Sequence, residues 1–274
     1  MTLPLDWPVS TGDESLTPPP AKRPVAPALS VVVPLYNEER RVPALCDAAR
    51  RWDTPFGAAE LILVDDGSTD RTVRMLDGGL VDCEVPHRVI SHDHNRGKGA
   101  AVATGMRQAT GDFVAFLDAD LAVTFEDLAR AMSMMESAGA PIAVGSRRHP
   151  DSELPDPQPV LRRTLGRCFN LAARSMGLAS MSDTQCGMKI FRRMAAAQIF
   201  PHVKSEGFAF DVEVLRVAEL YGHKVIEVPV TWHHRGESKV RPVRDGMAML
   251  RSLVAIRRRW GKGSEVRLMS SHIR

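Results

Sequence analysis

Two aspartates one residue apart, Asp118 and Asp120, close the apolar run Phe113-Val114-Ala115-Phe116-Leu117. Such a run reads as a buried strand, which would deliver both carboxylates together at its exposed end. Side chains at i and i+2 of an extended segment project to one side, so the two acids repel unless a cation or a shared proton lies between them. A hard divalent ion answers that need. Mg²⁺ or Mn²⁺ takes one or two protein carboxylates and fills its other positions with water and substrate phosphates. The pair therefore suggests a nucleotide-diphosphate substrate. Taken alone, Asp118 and Asp120 suit an acidic turn capping a strand about as well.

The elements around the pair decide between these readings. From Leu29 onward, short β-branched runs alternate with helix-period segments, which predicts an α/β fold with a mostly parallel central sheet flanked by helices. Ser30 to Val33 is the first strand, and Asn37 is placed to cap a helix running to about Trp52. Leu61 to Val64 is the second strand, turning through Asp65-Asp66-Gly67-Ser68 into a helix to about Leu76. Val89-Ile90 opens a third unit, and Asn95 to Gly99 introduces a helix to about Ala109. Thr124 with Asp127 reads as a capping box, and Ile142 to Val144 as the next strand. Ligands of open α/β sheets gather at the carboxyl ends of the strands. Pro34 to Glu38, Asp65 to Ser68, Asp118 to Asp120 and Gly145 to Arg147 should therefore share one rim, although each cluster singly suits ordinary turn chemistry.

Composition narrows the classes further. The chain has 274 residues, 44% of them hydrophobic, enough for one large domain with a substantial core. The formal net charge is only +3, yet the last third is crowded with arginines, including Arg241, Arg244, Arg251, Arg257, Arg258, Arg259 and Arg267. Few aromatics interleave with them, which argues against nucleic acid and for phosphates or an anionic membrane surface. Cys46, Cys83, Cys168 and Cys186 are scattered without metal-site spacing and read as free thiols of a cytoplasmic protein. No apolar stretch is long enough to span a bilayer. Residues 1–28, rich in proline, read as a disordered leader; 29–240 as the catalytic domain; and 241–274 as a basic amphipathic helix and tail that could lie on a membrane.

Val32-Val33-Pro34-Leu35-Tyr36-Asn37-Glu38, Val64-Asp65-Asp66-Gly67-Ser68, Asn95-Arg96-Gly97-Lys98-Gly99 and Asp118-Ala119-Asp120 together resemble the inverting family 2 glycosyltransferases of GT-A fold. Val144 to Arg147, Asp183 to Lys189 and Phe208 to Glu213 are similar to the dolichyl-phosphate β-glucosyltransferases in particular, with polyprenyl-phosphate mannosyltransferases more distant. The resemblance implies that Pro34, Tyr36, Asn37, Glu38, Asp65, Asp66, Gly67, Lys98 and Ala119 bind a nucleotide-sugar donor, and that Asp118 and Asp120 hold Mg²⁺ or Mn²⁺. It also implies a mobile loop bringing Ser238 and Lys239 to the diphosphate, and a polyprenyl phosphate as acceptor. Polyprenyl-phosphate mannosyltransferases often carry a polar residue where Ala122 stands, so Ala122 favours UDP-glucose over GDP-mannose.

Arg147 at the rim and Arg163 are the candidates for the acceptor phosphate, because a guanidinium grips phosphate oxygens in a fork. Arg162 and Arg167 share the helical spacing of Arg163 but equally suit a solvated face. Asp183 is the candidate to orient the acceptor or act as base. A phosphate monoester, already mostly deprotonated with a second pKa of about 6, needs little such help, whereas a hydroxyl acceptor would depend on it. Glu206 to Tyr221 reads as a helix burying Phe208, Val212, Leu215 and Ala218, with Asp211 and Glu213 on different faces in supporting roles. His233 and His234 read as structural or loop residues rather than metal ligands.

Overall fold

The computed structural model describes residues 27–53, 58–156, 160–233 and 242–261. Seven strands form one sheet: β1 (Leu29–Leu35), β2 (Ala59–Asp65), β3 (His87–Ser91), β4 (Phe113–Leu117), β5 (Ile142–Ser146), β6 (Met188–Arg192) and β7 (Val225–Pro229). Their order across the sheet is β3-β2-β1-β4-β6-β5-β7. Six run parallel, and β6 alone runs against its neighbours β4 and β5. The helices are α1 (Val42–Arg51), α2 (Thr72–Gly79), α3 (Lys98–Gln108), α4 (Phe125–Ala138), α5 (Val160–Ser175), α6 (Arg193–Ile199), α7 (Phe210–Leu220) and α8 (Pro242–Trp260).

The central strands are apolar on both faces because helices cover both. Val31, Val33, Leu61 and Leu63 enter one core with Leu45 of α1, Leu76 of α2 and Leu128 of α4. Their neighbours Val32, Ile62 and Val64 point the other way, to a second core with Val102 of α3, Phe210 of α7, and Leu253 and Ile256 of α8. Each such side chain, once fully buried, contributes about 1.5–3 kcal/mol relative to exposure. The α8 helix therefore belongs to the packed domain.

Parallel strands place their carboxyl ends on one rim, and the reversal of β6 brings its beginning to that rim as well. Asp183 to Gly187, which lead into β6, thus arrive beside the ends of β4 and β5. The Asp118 N–H donates to Gly187 O at 3.1 Å, joining the two segments there.

Some boundaries differ from expectation. Asn37 does not cap α1, which begins at Val42 behind Arg41. Its backbone is left-handed at φ 51°, and its side chain turns to the residues after β2. The helix expected from Glu206 begins at Phe210, so Phe208 lies in the preceding loop, 36% exposed rather than in the core. The cause is that residues 205–206 are drawn against the start of α3, where Glu206 O accepts from Gly99 N at 2.6 Å. The capping box of Thr124 and Asp127 forms as expected. All four cysteines are free thiols. No described helix is long and apolar enough to cross a membrane. Residues 1–26, together with His234, Ser238, Lys239, Arg241 and Arg267, lie outside the described residues.

Candidate active site

Asp118 and Asp120 stand where β4 ends, and the turn that presents them is strained. Leu121 follows them at φ 50°, and Asn37 follows β1 at φ 51°; among the described residues these are the non-glycine residues with positive φ. A branched side chain in that region is uncommon and must be held by its surroundings. Here the Leu121 N–H donates to Asp118 O at 3.1 Å, and the Ala122 N–H to Asp120 Oδ1 at 3.0 Å. Ala122 contributes its backbone, and its small side chain is buried.

The acids are unevenly compensated. Burial, and then the charge of Asp118, push the Asp120 carboxyl up from its ordinary range. Lys98 Nζ lies 2.5 Å from Asp118 Oδ1, yet that buried oxygen receives no aligned hydrogen bond. Burial disfavours the Lys98 ammonium, but Asp118, Asp211 and Asp120 hold it firmly charged. Beneath them, fully buried Lys189 pairs with Asp211 at 2.5 Å and donates to Cys186 O at 3.1 Å. Gly187 makes room for this cluster, since a Cβ there would sit 2.5 Å from Asp118 Oδ2. A buried carboxylate oxygen met only by the charge of Lys98, beside a second acid with a raised pKa, fits a divalent cation that completes its shell with water and phosphate oxygens. Among the described residues no group of three or more His, Cys, Asp or Glu side chains is arranged to hold a metal ion by itself.

The ends of β1 and β2 form the neighbouring wall. Tyr36 is 37% exposed and Pro34 half-buried. Asn37 Oδ1 accepts from Thr69 N at 2.7 Å, while Ser68 Oγ accepts from Asn37 N at 2.8 Å. The Glu38 N–H donates to Thr72 Oγ1, and its carboxylate pairs with Arg41 at 3.0 Å. Asp65 accepts from Ser68 N at 3.1 Å, closing the turn. Gly67 is required there: its φ is 72°, and a Cβ would lie 2.5 Å from His94 C. Asp66 has a structural task. Its oxygens accept from His92 Nδ1 at 2.8 Å, Arg96 N at 2.9 Å and Gly97 N at 2.7 Å, so it fixes the loop that launches Lys98. Ala119 is buried between the two acids.

On the opposite wall, Asp183 grips Arg147. Asp183 Oδ2 accepts from Nε at 2.7 Å and Oδ1 from Nη2 at 2.8 Å, while the Arg147 backbone N–H adds a third bond at 3.1 Å. Burial alone would raise the Asp183 carboxyl, but the guanidinium holds it below the usual carboxylate range. The turn is itself pinned. Glu227 of β7 accepts from Ser182 N and Asp183 N, both at 3.0 Å, and Asn170 of α5 accepts from Thr184 Oγ1 at 2.5 Å. Trp232 backs the guanidinium at 5.9 Å. Arg163 does not join this cluster; it is exposed on α5 and bonds to neither Arg147 nor Asp183 among the described residues, and Arg167 is likewise exposed. His233 pairs with Asp156 at 3.3 Å, a loop contact as expected.

The family model for glycosyl transferase family 2 matches residues 30–200, more than half of the chain. The chain belongs to glycosyl transferase family 2. Among relatives of this family 2 glycosyltransferase, the dolichyl-phosphate beta-glucosyltransferase of Dictyostelium discoideum is 35% identical over 244 residues, covering 85% of this chain and 74% of the relative. That of Homo sapiens is 34% identical over 251 residues, covering 86% and 76%. Among solved structures, glucosyl-3-phosphoglycerate synthase from Mycobacterium tuberculosis, in complex with Mn²⁺, UDP and glucosyl-3-phosphoglycerate, superposes with a TM-score of 0.64 at 21% identity, covering 86% of this chain and 80% of that one. Another structure of that synthase holds Mg²⁺ and UDP. The likeness is one of fold, and it places this transferase among GT-A proteins. Sequence reasoning overlooked Lys189 and Gly187 as parts of the site. A lysine inside the apolar strand Met188-Lys189-Ile190-Phe191 was the available signal, since a buried lysine demands an acidic partner.

Proposed function

We propose that this glycosyltransferase moves glucose from UDP-glucose onto a polyprenyl phosphate with inversion at the sugar carbon. The observation that carries the reading is the Arg147–Asp183 pair: a guanidinium locked at the rim, with Nη1 left over, that faces an incoming phosphate across the floor from an acidic pair suited to a divalent cation. The names of the relatives and the UDP complexes of the structural neighbours support the same choice of donor and acceptor.

In this mechanism Asp118 and Asp120 would hold Mg²⁺ or Mn²⁺, and the bound cation supplies Lewis acidity to the departing diphosphate. Pro34, Tyr36, Asn37 and Glu38 wall the nucleoside end of the donor, and Asp65 and Asp66 keep that wall in shape. Arg147 orients the acceptor so that a phosphate oxygen attacks from the side opposite the leaving group, which is the entropic part of catalysis. Asp183 removes no proton. Its lone pairs are committed to Arg147, its pKa is depressed, and a phosphate monoester near neutrality is already mostly ionised. A hydroxyl acceptor would instead require a free base, which Asp183 in this setting is not.

A membrane-bound acceptor calls for a docking face. On α8 the exposed side chains Met247, Leu250 and Val254 run beside exposed Arg251 and Arg258, while exposed Arg163, Arg167, Leu171 and Arg174 line α5. Apolar residues flanked by arginines match an anionic membrane surface, and the reading places the protein peripherally on the cytoplasmic face. The functional test is incubation of the purified protein and Mg²⁺ with labelled UDP- and GDP-sugars and polyprenyl phosphate. A lipid-linked product from UDP-glucose is expected, and it should fall about a hundredfold or more in Asp120→Asn, because the bound cation is worth several kcal/mol in the transition state. Product from GDP-mannose alone would refute the donor assignment.

A further inference from the structure

Under the rim three carboxylates, those of Asp118, Asp120 and Asp211, meet two ammonium groups, those of Lys98 and Lys189. The two lysines are not equivalent. Lys189 is fully buried, bonded to Asp211 and to Cys186 O, and cannot be withdrawn without leaving Asp211 bare. Lys98 keeps 18% of its side chain exposed and touches Asp118 by charge rather than by an aligned hydrogen bond. We propose that Lys98 is an internal counter-ion that a divalent cation displaces from Asp118, which makes binding of the cation and of the donor diphosphate mutually dependent.

The inference rests on the reading that Asp118 and Asp120 hold a divalent cation, and the surroundings explain how the exchange works. A divalent ion between these acids would repel an ammonium already touching one of them, with twice the force of a unit charge at the same distance. The Lys98 side chain can leave while its backbone stays. Asp66 fixes Gly97 N, Glu206 O fixes Gly99 N, and the stem crosses the Phe210 ring, with Nζ 5.8 Å from its centre. Asp211 attracts the Lys98 ammonium but is paired with Lys189, so it offers no free carboxylate to receive the displaced group. The remaining source of negative charge is the donor diphosphate. Without donor, Lys98 therefore competes with the cation; with donor, the two share the phosphates. By linkage, the factor by which UDP tightens Mn²⁺ is the factor by which Mn²⁺ tightens UDP.

The test needs no turnover. Free Mn²⁺ is measured by electron paramagnetic resonance in titrations of the full chain, with and without UDP, for wild type, Lys98→Gln, Lys98→Arg and Asp120→Asn. Without UDP, Lys98→Gln should bind Mn²⁺ about tenfold more tightly than wild type, and the tightening by UDP should shrink by a similar factor. Lys98→Arg, which keeps the charge, should resemble wild type. Unchanged or weaker Mn²⁺ binding in folded Lys98→Gln overturns the proposal. Full Mn²⁺ affinity in Asp120→Asn would instead overturn the underlying metal reading. Wild-type protein supplies a second measurement: Mn²⁺ alone should increase acylation of the Lys98 amine by acetic anhydride, read by mass spectrometry. Unchanged or reduced labelling contradicts displacement.

Discussion

Arg147 and Asp183 divide a task that an arginine on an exposed rim would perform poorly alone. Solvated, the side chain would sample many rotamers; clamped at two nitrogens by a buried carboxylate, it is pre-organised for phosphate. Asp183→Asn strips the charge partner from a largely buried guanidinium and should cost about 3 kcal/mol in chemical denaturation. Arg147→Lys keeps the charge and loses the fork. It should raise KM for the lipid phosphate about tenfold or more while leaving KM for the nucleotide sugar nearly unchanged, since a charge-assisted hydrogen bond is worth about 1.5–3 kcal/mol. At this scale the sequence was legible where a local rule applied. The apolar run announced that Asp118 and Asp120 follow a strand, as Arg147 does, although the two acids stand in a turn rather than at i and i+2 of an extended segment. It was illegible where an acid turns inward: the carboxylate of Asp66 serves backbone N–H groups of Arg96 and Gly97, thirty residues away in sequence, and nothing near Asp66 signals that.

Helices and loops are tied to this centre through Glu213 of α7. Its carboxylate accepts from Lys204 N and Ser205 N on one side, and from Arg259 and Trp260 Nε1 of α8 on the other. Since residues 205–206 also cap α3, the C-terminal helix, α7 and the helix carrying Lys98 share one fastening. Burial would raise the Glu213 carboxyl, but Ser205, Trp260 and Arg259 hold it below its ordinary value. A depressed folded-state pKa adds stability that is present above the unfolded value and lost as pH falls through the folded one. The melting temperature should therefore drop as pH is lowered from 7 to about 3. Glu213→Gln should melt about 5–10 °C lower at pH 7 and show a shallower acid dependence by differential scanning calorimetry. A parallel acid profile in the variant would remove Glu213 from the account. The helices of the first half were readable from periodicity, and α4 from its capping box, whereas Asn37 misplaced the start of α1. The late start of α7 was not, because the cap it yields to lies on α3, more than a hundred residues earlier.

For the molecule as a whole, alternating strands and helices disclosed the α/β class, and four polar strand ends disclosed the rim. The reversal of β6 that brings Asp183 and Gly187 there leaves no mark in the strand's own composition. The exposed stripe on α8 is likewise a property of the assembled protein, since Leu253, Ile256 and Trp260 of the same helix are buried. If that stripe meets the membrane, Leu250→Glu with Val254→Glu should abolish flotation with anionic liposomes and leave the melting temperature within about 2 °C, because exposed substitutions change stability little. Unchanged flotation would move the docking face elsewhere. The central claim is that a phosphate oxygen takes the sugar, and phosphorus NMR of a reaction with Mg²⁺, UDP-glucose and a short polyprenyl phosphate observes this directly. The account predicts that the lipid monoester signal is replaced by that of a glucosyl phosphodiester as UDP accumulates, with a β-configured anomeric proton. UDP release while the monoester signal persists would contradict it.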